Sequence, residues 1–265
     1  MISFCQIGYL GRLGNQMFQM ASTIGIAKRL GYESKFPSEV FTKNESPDSY
    51  EGCKLNECFQ IPEAFFAPFD EIKKNTAFIY QESDFTYNRQ TESLPDGCNL
   101  YGYFQTEKYF RDYRKDILKI FKFREEIEKK ANEVLEVKDN FISVHVRRGD
   151  YVSASQHHPT QDMEYYTKAM NLFKRDSIFC VFSDDIDWCK NNFKGENFIF
   201  VETNNPYVDM CLMSKFKNHI IANSSFSWWG SWLADSQKTV APLNWFGPMI
   251  PKDTSDVYCV GWSVI

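Results

Sequence analysis

The chain has no excess of positive charge. Its 30 lysines and arginines face 35 aspartates and glutamates, a net of −5. No global basic field exists to draw nucleic acid or an anionic membrane, and any anionic ligand must be held locally. There is no CxxC pair: the eight cysteines (Cys5, Cys53, Cys58, Cys98, Cys180, Cys189, Cys211, Cys259) stand apart, several within apolar runs, and read as free thiols. No GxxxxGK[ST] loop occurs, which disfavours a P-loop NTPase. No serine or cysteine is paired in sequence with an evident His-Asp set, so covalent nucleophilic catalysis has no support. His157, His158 and His219 lack metal-ligand spacing and read as loop or strand-end residues. Long apolar runs are missing as well. The opening Met1 to Ile7 turns polar by Arg12, too short for the core of a signal peptide or for a membrane span. The expectation is a cytoplasmic protein, in which the Asn-x-Ser triplets at Asn44 and Asn223 carry no glycan; a place at the inner face of a membrane stays open. No internal repeat, low-complexity segment or flexible linker is visible.

What the chain does have is a strand that ends in charge. In Phe141-Ile142-Ser143-Val144-His145-Val146-Arg147-Arg148-Gly149-Asp150, strand alternation puts Ile142, Val144 and Val146 on one face and His145 with Arg147 on the other. Two guanidiniums at a strand's carboxyl end suit a phosphate or carboxylate, because each fork donates parallel hydrogen bonds to anionic oxygens. In open α/β sheets that end is where ligands bind. The alternative is an Arg-Asp pair that merely closes the strand.

At 265 residues the chain suffices for two lobes with real cores. Ile2 to Ile7 reads as a buried strand, then a glycine loop to Gln16, then a helix to about Leu30 with Phe18, Ala21, Ile24 and Leu30 along a stripe. A helix N-terminus after a glycine loop can meet an anion or a sugar hydroxyl, or simply turn the chain. From Gly31 to about Leu100 periodicity is poor. Tyr101 to Gln105 reads as a strand, and Glu107 to Phe121 and Arg124 to Val137 as charged helices. Beyond residue 139 strands at 141–147, 177–183, 197–201, 218–222 and 238–241 alternate with helices near 162–173, 186–193, 207–216 and 225–235, the signature of a parallel, doubly wound sheet. Its strand ends carry Arg147 to Asp150, Ser183-Asp184-Asp185, Glu202-Thr203-Asn204 and Asn223-Ser224-Ser225. The aromatic tail from Pro242 is expected to pack back over the lobes.

Asp184 and Asp185 can accept from a ribose diol or a guanine N–H edge, or cap the following helix; one pair of aspartates offers too few oxygens for a hard cation. Ser224 and Ser225 stand on the first turn of a helix, where hydroxyls and backbone N–H groups converge on an anion the size of phosphate. Trp228, Trp229 and Trp232 stack on sugars or fill core, and helical spacing favours core. Capping is the expected role of Asp209. His145 is a general base or a neutral group that fixes its neighbours; the adjacent Arg147 disfavours imidazolium.

Five motifs together resemble one family, the bacterial α-1,2-fucosyltransferases of glycosyltransferase family 11: Gly11-Arg12-Leu13-Gly14-Asn15-Gln16-Met17-Phe18-Gln19, Gly102 to Phe110, His145 to Tyr151, Phe182-Ser183-Asp184-Asp185, and Asn223 to Trp232. They run in family order over nearly the full chain. Arg12 stands where the family often has a second glycine. The resemblance implies a GT-B-like α/β fold of two Rossmann-type lobes with parallel sheets and an interlobe cleft. An N-terminal lobe (1–138) lies on the acceptor side, and a C-terminal lobe (139–265) holds the donor. It implies GDP-β-L-fucose as donor, a terminal β-galactoside as acceptor, and inversion in one displacement without an obligatory metal or other cofactor. Arg147, Arg148, Ser183, Asp184, Asp185, Asn223, Ser224 and Ser225 are then donor-binding candidates. His145, Arg147, Arg148 and Asp150 are catalytic candidates, with His145 and Asp150 competing for the role of base, and Asn15 and Gln16 reach into the cleft. Rivals are a fucosyltransferase of another acceptor or linkage and a non-catalytic sugar-binding module, which would have no use for strand-end arginines.

Overall fold

The computed structural model describes residues 1–41, 52–250 and 252–265; the Asn44 triplet lies outside them. The chain divides into two compact units, Met1–Arg124 with Asp253–Cys259, and Glu125–Lys252 with Val260–Ile265.

The first unit comprises β1 (Ile2–Ser3), α1 (Leu13–Leu30), β2 (Ser34–Pro37), α2 (Leu55–Cys58), β3 (Phe66–Ala67), α3 (Phe69–Lys74), β4 (Phe78–Gln81), β5 (Cys98–Tyr101) and α4 (Arg114–Ile120). Its strands pair in the order β3-β2-β1-β5-β4, all parallel. The helix α1 is buried on nearly every side from Gln16 to Ala27, so the expected single stripe is too narrow a description, and Leu30 is only partly covered. Its inward polar residues turn to backbone carbonyls instead of water: Gln19 Nε2 donates to Leu10 O at 2.9 Å and Thr23 Oγ1 to Gln19 O at 2.7 Å. Gly31 ends the helix in the left-handed region at φ +74°, with Lys28 and Arg29 in the last turn.

Three expectations for this unit are corrected. The opening strand pairs only through Ile2 and Ser3. The strand read at 101–105 is the end of β5, and the chain leaves the sheet after Tyr101. Short 3₁₀ turns at Glu107–Tyr109 and Arg111–Tyr113 replace the first half of the helix read there, and α4 is its second half.

The second unit comprises α5 (Glu125–Val134), β6 (Phe141–Val146), α6 (Met163–Met170), β7 (Ile178–Ser183), α7 (Ile186–Asn192), β8 (Phe198–Phe200), α8 (Pro206–Met213), β9 (Asn218–Ile220), α9 (Ser225–Leu233), β10 (Lys238–Ala241) and β11 (Ser263–Val264). Its strand order is β11-β10-β9-β6-β7-β8, all parallel. The chain therefore starts in the middle, runs outward to β8, returns, and runs outward the other way. The reversal between β6 and β9 is the point where open α/β sheets open a ligand crevice. Both faces of β6 are covered, as a central strand requires. Ile142, Val144 and Val146 pack with Tyr165, Tyr166 and Ala169 of α6 and Cys189 of α7, while His145 on the other face meets Phe226 of α9 at 5.6 Å between ring centroids.

The boundary expected at 138/139 lies before α5: this helix buries Ile127 and Ala131 and packs on α8, so its apolar face outweighs its charge. Residues 253–259 of the tail belong to the first unit and 260–265, with β11, to the second. Trp228 and Trp229 are fully buried and Trp232 nearly so; with Trp262 they form an aromatic core. All eight cysteines are free thiols, and burial pushes those of Cys53 and Cys180 up to about 12. No helix among the described residues is long and apolar enough to cross a membrane.

Candidate functional site

The register of the second sheet assembles the charged cluster. Val146 lies opposite Ser183, so as β6 and β7 end together their next residues, Arg147-Arg148 and Asp184-Asp185, emerge side by side. Arg147 is held from two sides: Nη1 pairs with Asp184 Oδ2 at 2.9 Å and Nη2 with Asp150 Oδ1 at 2.5 Å. Arg148 donates its backbone N–H to Asp184 Oδ1 at 2.8 Å and its Nε to Asp185 Oδ2 at 3.0 Å. Its guanidinium lies 4.2 Å above the Trp188 ring, which fixes the plane of the fork. The two η nitrogens of Arg148 carry no hydrogen bond among the described residues. Gly149 leaves the room this needs, because a Cβ there would strike the Asp184 carboxylate.

The aspartates thus orient arginines. Asp185 also caps α7, accepting from Trp188 N at 3.2 Å, and Ser183 Oγ accepts from Asp185 N at 2.9 Å. Asn223 is buried, with Nδ2 donating to Trp245 O and Oδ1 accepting from Gln161 Nε2, both at 3.0 Å. Its amide is closed to glycosylation and serves to brace the crevice wall. Ser224 caps α9, whereas the Ser225 hydroxyl, one residue on, has no hydrogen-bond partner among the described residues.

His145 is buried on the face toward α9, and burial, aided by Arg147, pushes its pKa from an ordinary 6.5 down to about 3. It is neutral throughout the physiological range, and its Nδ1 has no partner among the described residues. Asp209 does not cap α8. That role falls to Asn205, which accepts from Tyr207 N and Val208 N, while Asp209 accepts from Thr203 Oγ1 at 2.6 Å and burial pushes it up to about 6. Glu202 pairs with Lys190 at 2.6 Å.

The profile described as Glycosyl transferase family 11 matches residues 2–265. The chain belongs to this family. An α-1,2-colitosyltransferase of Escherichia coli is 34% identical, covering 89% of this chain and 90% of its own. A galactoside alpha-(1,2)-fucosyltransferase 2 of Sus scrofa is 24% identical over 92% of this chain and 74% of its own. Among solved structures, the fucosyltransferase NodZ from Bradyrhizobium aligns with TM-score 0.55 at 13% identity, covering 86% of this chain and 91% of that one. POFUT1 in complex with GDP-fucose aligns with TM-score 0.51 at 14% identity, covering 89% and 94%. The fold is GT-B-like, α/β with two parallel sheets.

Within this family 11 glycosyltransferase the structure gathers Arg147, Arg148, Asp150, Ser183, Asp184 and Asp185 around the ends of β6 and β7, with Asn223, Ser224 and Ser225 at the start of α9. Asn15 and Gln16 lie on the first turn of α1 in the first unit. Gln16 is buried and used locally, donating to Gly52 O at 3.0 Å and accepting from Lys54 N at 2.8 Å. Three further residues join the arginine cluster. Tyr151 receives Arg147 over its ring at 5.2 Å and donates its hydroxyl to Asn223 O at 3.3 Å; His158 stacks on Tyr151 at 4.8 Å; Trp188 underlies Arg148. Trp188 was findable from its place three residues after Asp185, in the first turn of α7. His158 carried no local signal, because only the folded loop returns it to Tyr151.

Proposed function

We propose that this chain transfers L-fucose from GDP-β-L-fucose to the 2-hydroxyl of a terminal β-galactoside, with inversion and without a metal. The observation that carries the reading is the Arg148 guanidinium, fixed in plane by Asp185 and Trp188 with its η nitrogens unused. It stands at the switch point of a parallel sheet in a chain of family 11, and the α-1,2 relatives support the linkage.

Arg148 binds the diphosphate directly, and Arg147, whose terminal nitrogens are already paired, supports it. The Ser225 hydroxyl and the first N–H groups of α9 add donors for the same oxygens. As the bond between the anomeric carbon and the β-phosphate oxygen breaks, its electron pair leaves with GDP, and the arginines stabilise that charge in place of a metal ion. The galactose oxygen attacks the opposite face and gives up its proton. Of the two base candidates Asp150 is favoured, since it is half-exposed, whereas a buried imidazole whose conjugate acid has a pKa of about 3 offers little driving force for proton abstraction. His145 acts as a neutral spacer against α9.

A second reading has support of its own: the 34% identical relative is a colitosyltransferase, and colitose is fucose without its 3-hydroxyl. Incubation of the protein with GDP-fucose or GDP-colitose, with and without lactose and in EDTA, followed by linkage analysis, tests both. Lactose-dependent GDP release from GDP-fucose yielding Fucα1-2Gal supports the first reading. Turnover of GDP-colitose alone moves the assignment to the second, and release that requires a divalent cation contradicts metal independence.

A further inference from the structure

The N-terminal end of α1 holds a side-chain arrangement that the diphosphate site does not use. Asn15, in the first turn, is half-buried, and its Oδ1 accepts a 2.9 Å hydrogen bond from Gln105 Nε2. Its Nδ2 has no partner among the described residues. That nitrogen lies over Gly11, which sits at φ +77° and where any Cβ would strike the Asn15 amide, so the loop leaves space for this carboxamide.

Gln105 is held there against local preference. It is 6% exposed, and its Oε1 is buried with no partner among the described residues, a destabilising omission. It follows Phe104, a non-glycine residue at φ +54° whose ring is buried against Phe4, Tyr80 and Tyr109. Glu82 clamps the turn, its carboxylate accepting from Tyr103 N at 2.7 Å and Phe104 N at 2.9 Å. From α1, Ser22 Oγ donates to Phe104 O at 3.3 Å. Backbone strain of this kind persists where the surrounding structure over-determines it, and it gathers at functional sites.

We propose that Gln105 is a positioning residue: by occupying Asn15 Oδ1 it fixes the carboxamide so that Nδ2 is left to donate to a substrate oxygen, and Glu82 fixes Gln105 in turn. Without that bond the carboxamide can rotate, and half a turn presents an acceptor in place of the donor. The proposal rests on the glycosyltransferase reading and on Asn15 as a substrate-facing group.

A double-mutant cycle tests it, with kcat/KM on GDP-fucose and lactose and the melting temperature followed in parallel. Asn15→Ala and Gln105→Ala should each lower kcat/KM by about ten- to hundredfold, and the double variant should fall within about twofold of Asn15→Ala alone. Gln105→Met, which keeps the volume but not the donor, replaces the alanine variant if that fails to fold. Losses that multiply, as a merely structural role would produce, overturn the proposal, and so does an unchanged Gln105 variant. An inert Asn15→Ala removes the substrate role of Asn15 and the proposal with it. Side-chain ¹⁵N relaxation of Asn15 in the ligand-free protein gives a readout without turnover: ordered in the unmodified protein and mobile in Gln105→Met is expected, and equal order in both overturns it. A protein without turnover whose Asn15 amide still loosens in Gln105→Met refutes the function and leaves the positioning role standing.

Discussion

The two units carry the same kind of parallel sheet, and one polar cluster in each is organised by different means: charge pairing at the ends of β6 and β7, amide orientation at the start of α1. In the second, every charge of the β6 and β7 ends is matched: Arg147 lies between Asp150 and Asp184, and Arg148 is anchored by Asp185. In the first, amides are left incomplete, with Gln19 Oε1 and Gln105 Oε1 buried and unpartnered. Charge can be organised in advance by pairing, because a carboxylate that holds one edge of a guanidinium leaves the others to act. Amides can be organised only by orientation, and their unmade bonds are the cost of it.

The largest effect is expected at Arg148. Arg148→Ala should reduce kcat/KM by about 10²–10³, the usual result of removing a donor from developing negative charge, and near-normal turnover would sink the assignment. Arg148→Lys should recover little of the loss, because an ammonium keeps neither the fork nor the stacking on Trp188. Next comes Asp184→Ala, which frees Arg147 Nη1 and strips the acceptor from Arg148 N. About a tenfold fall in kcat/KM is expected, as for one lost charged hydrogen bond, and an unchanged value would mean that the pairing does not organise the site.

Smaller effects concern stability. His145 and His219 are neutral when folded, with pKa values pushed down to about 3 and about 4 by burial. The unfolded chain binds those protons below pH 6.5, so the stability present above that pH is lost as pH falls from about 6.5 toward 4. In an Asp209→Asn background, where the carboxyl that opposes this loss is gone, a melting temperature that stays level over that range would contradict the burial of both rings. Asp209 works in the opposite sense: burial raises it from 3.8 to about 6, and ionising it as pH rises through that window destabilises the fold. Asp209→Asn, which still accepts from Thr203, should therefore raise the melting temperature by about 2–4 °C at pH 7.5, and the gain should vanish near pH 4.

The same contrast explains how much could be read beforehand. The second unit was legible because β6, β7 and β8 are mostly apolar runs and α6 to α9 each open on a capping side chain; from β6 to β10 the expected and observed elements agree within a few residues. In the first unit β1 and β3 are two residues long, too short for alternation to register, and Tyr101 to Gln105 imitates a strand because its aromatic residues fill a core from a strained turn. Of the site, the arginines and aspartates were visible as strand-end residues, but their mutual pairing depends on register between β6 and β7, which one strand's sequence does not carry. Asn223 had the composition of a ligand contact, yet its amide is consumed by Gln161 and Trp245. Gln105 was visible only as part of a motif, since its partner Asn15 lies far off in the chain.

The role proposed for the β6 end turns on Arg148 binding a nucleoside diphosphate. Calorimetric titration of GDP in EDTA, into the unmodified protein and into Arg148→Ala, tests it most directly. A measurable affinity that weakens at least about tenfold in the variant is expected; equal affinities would rule that role out.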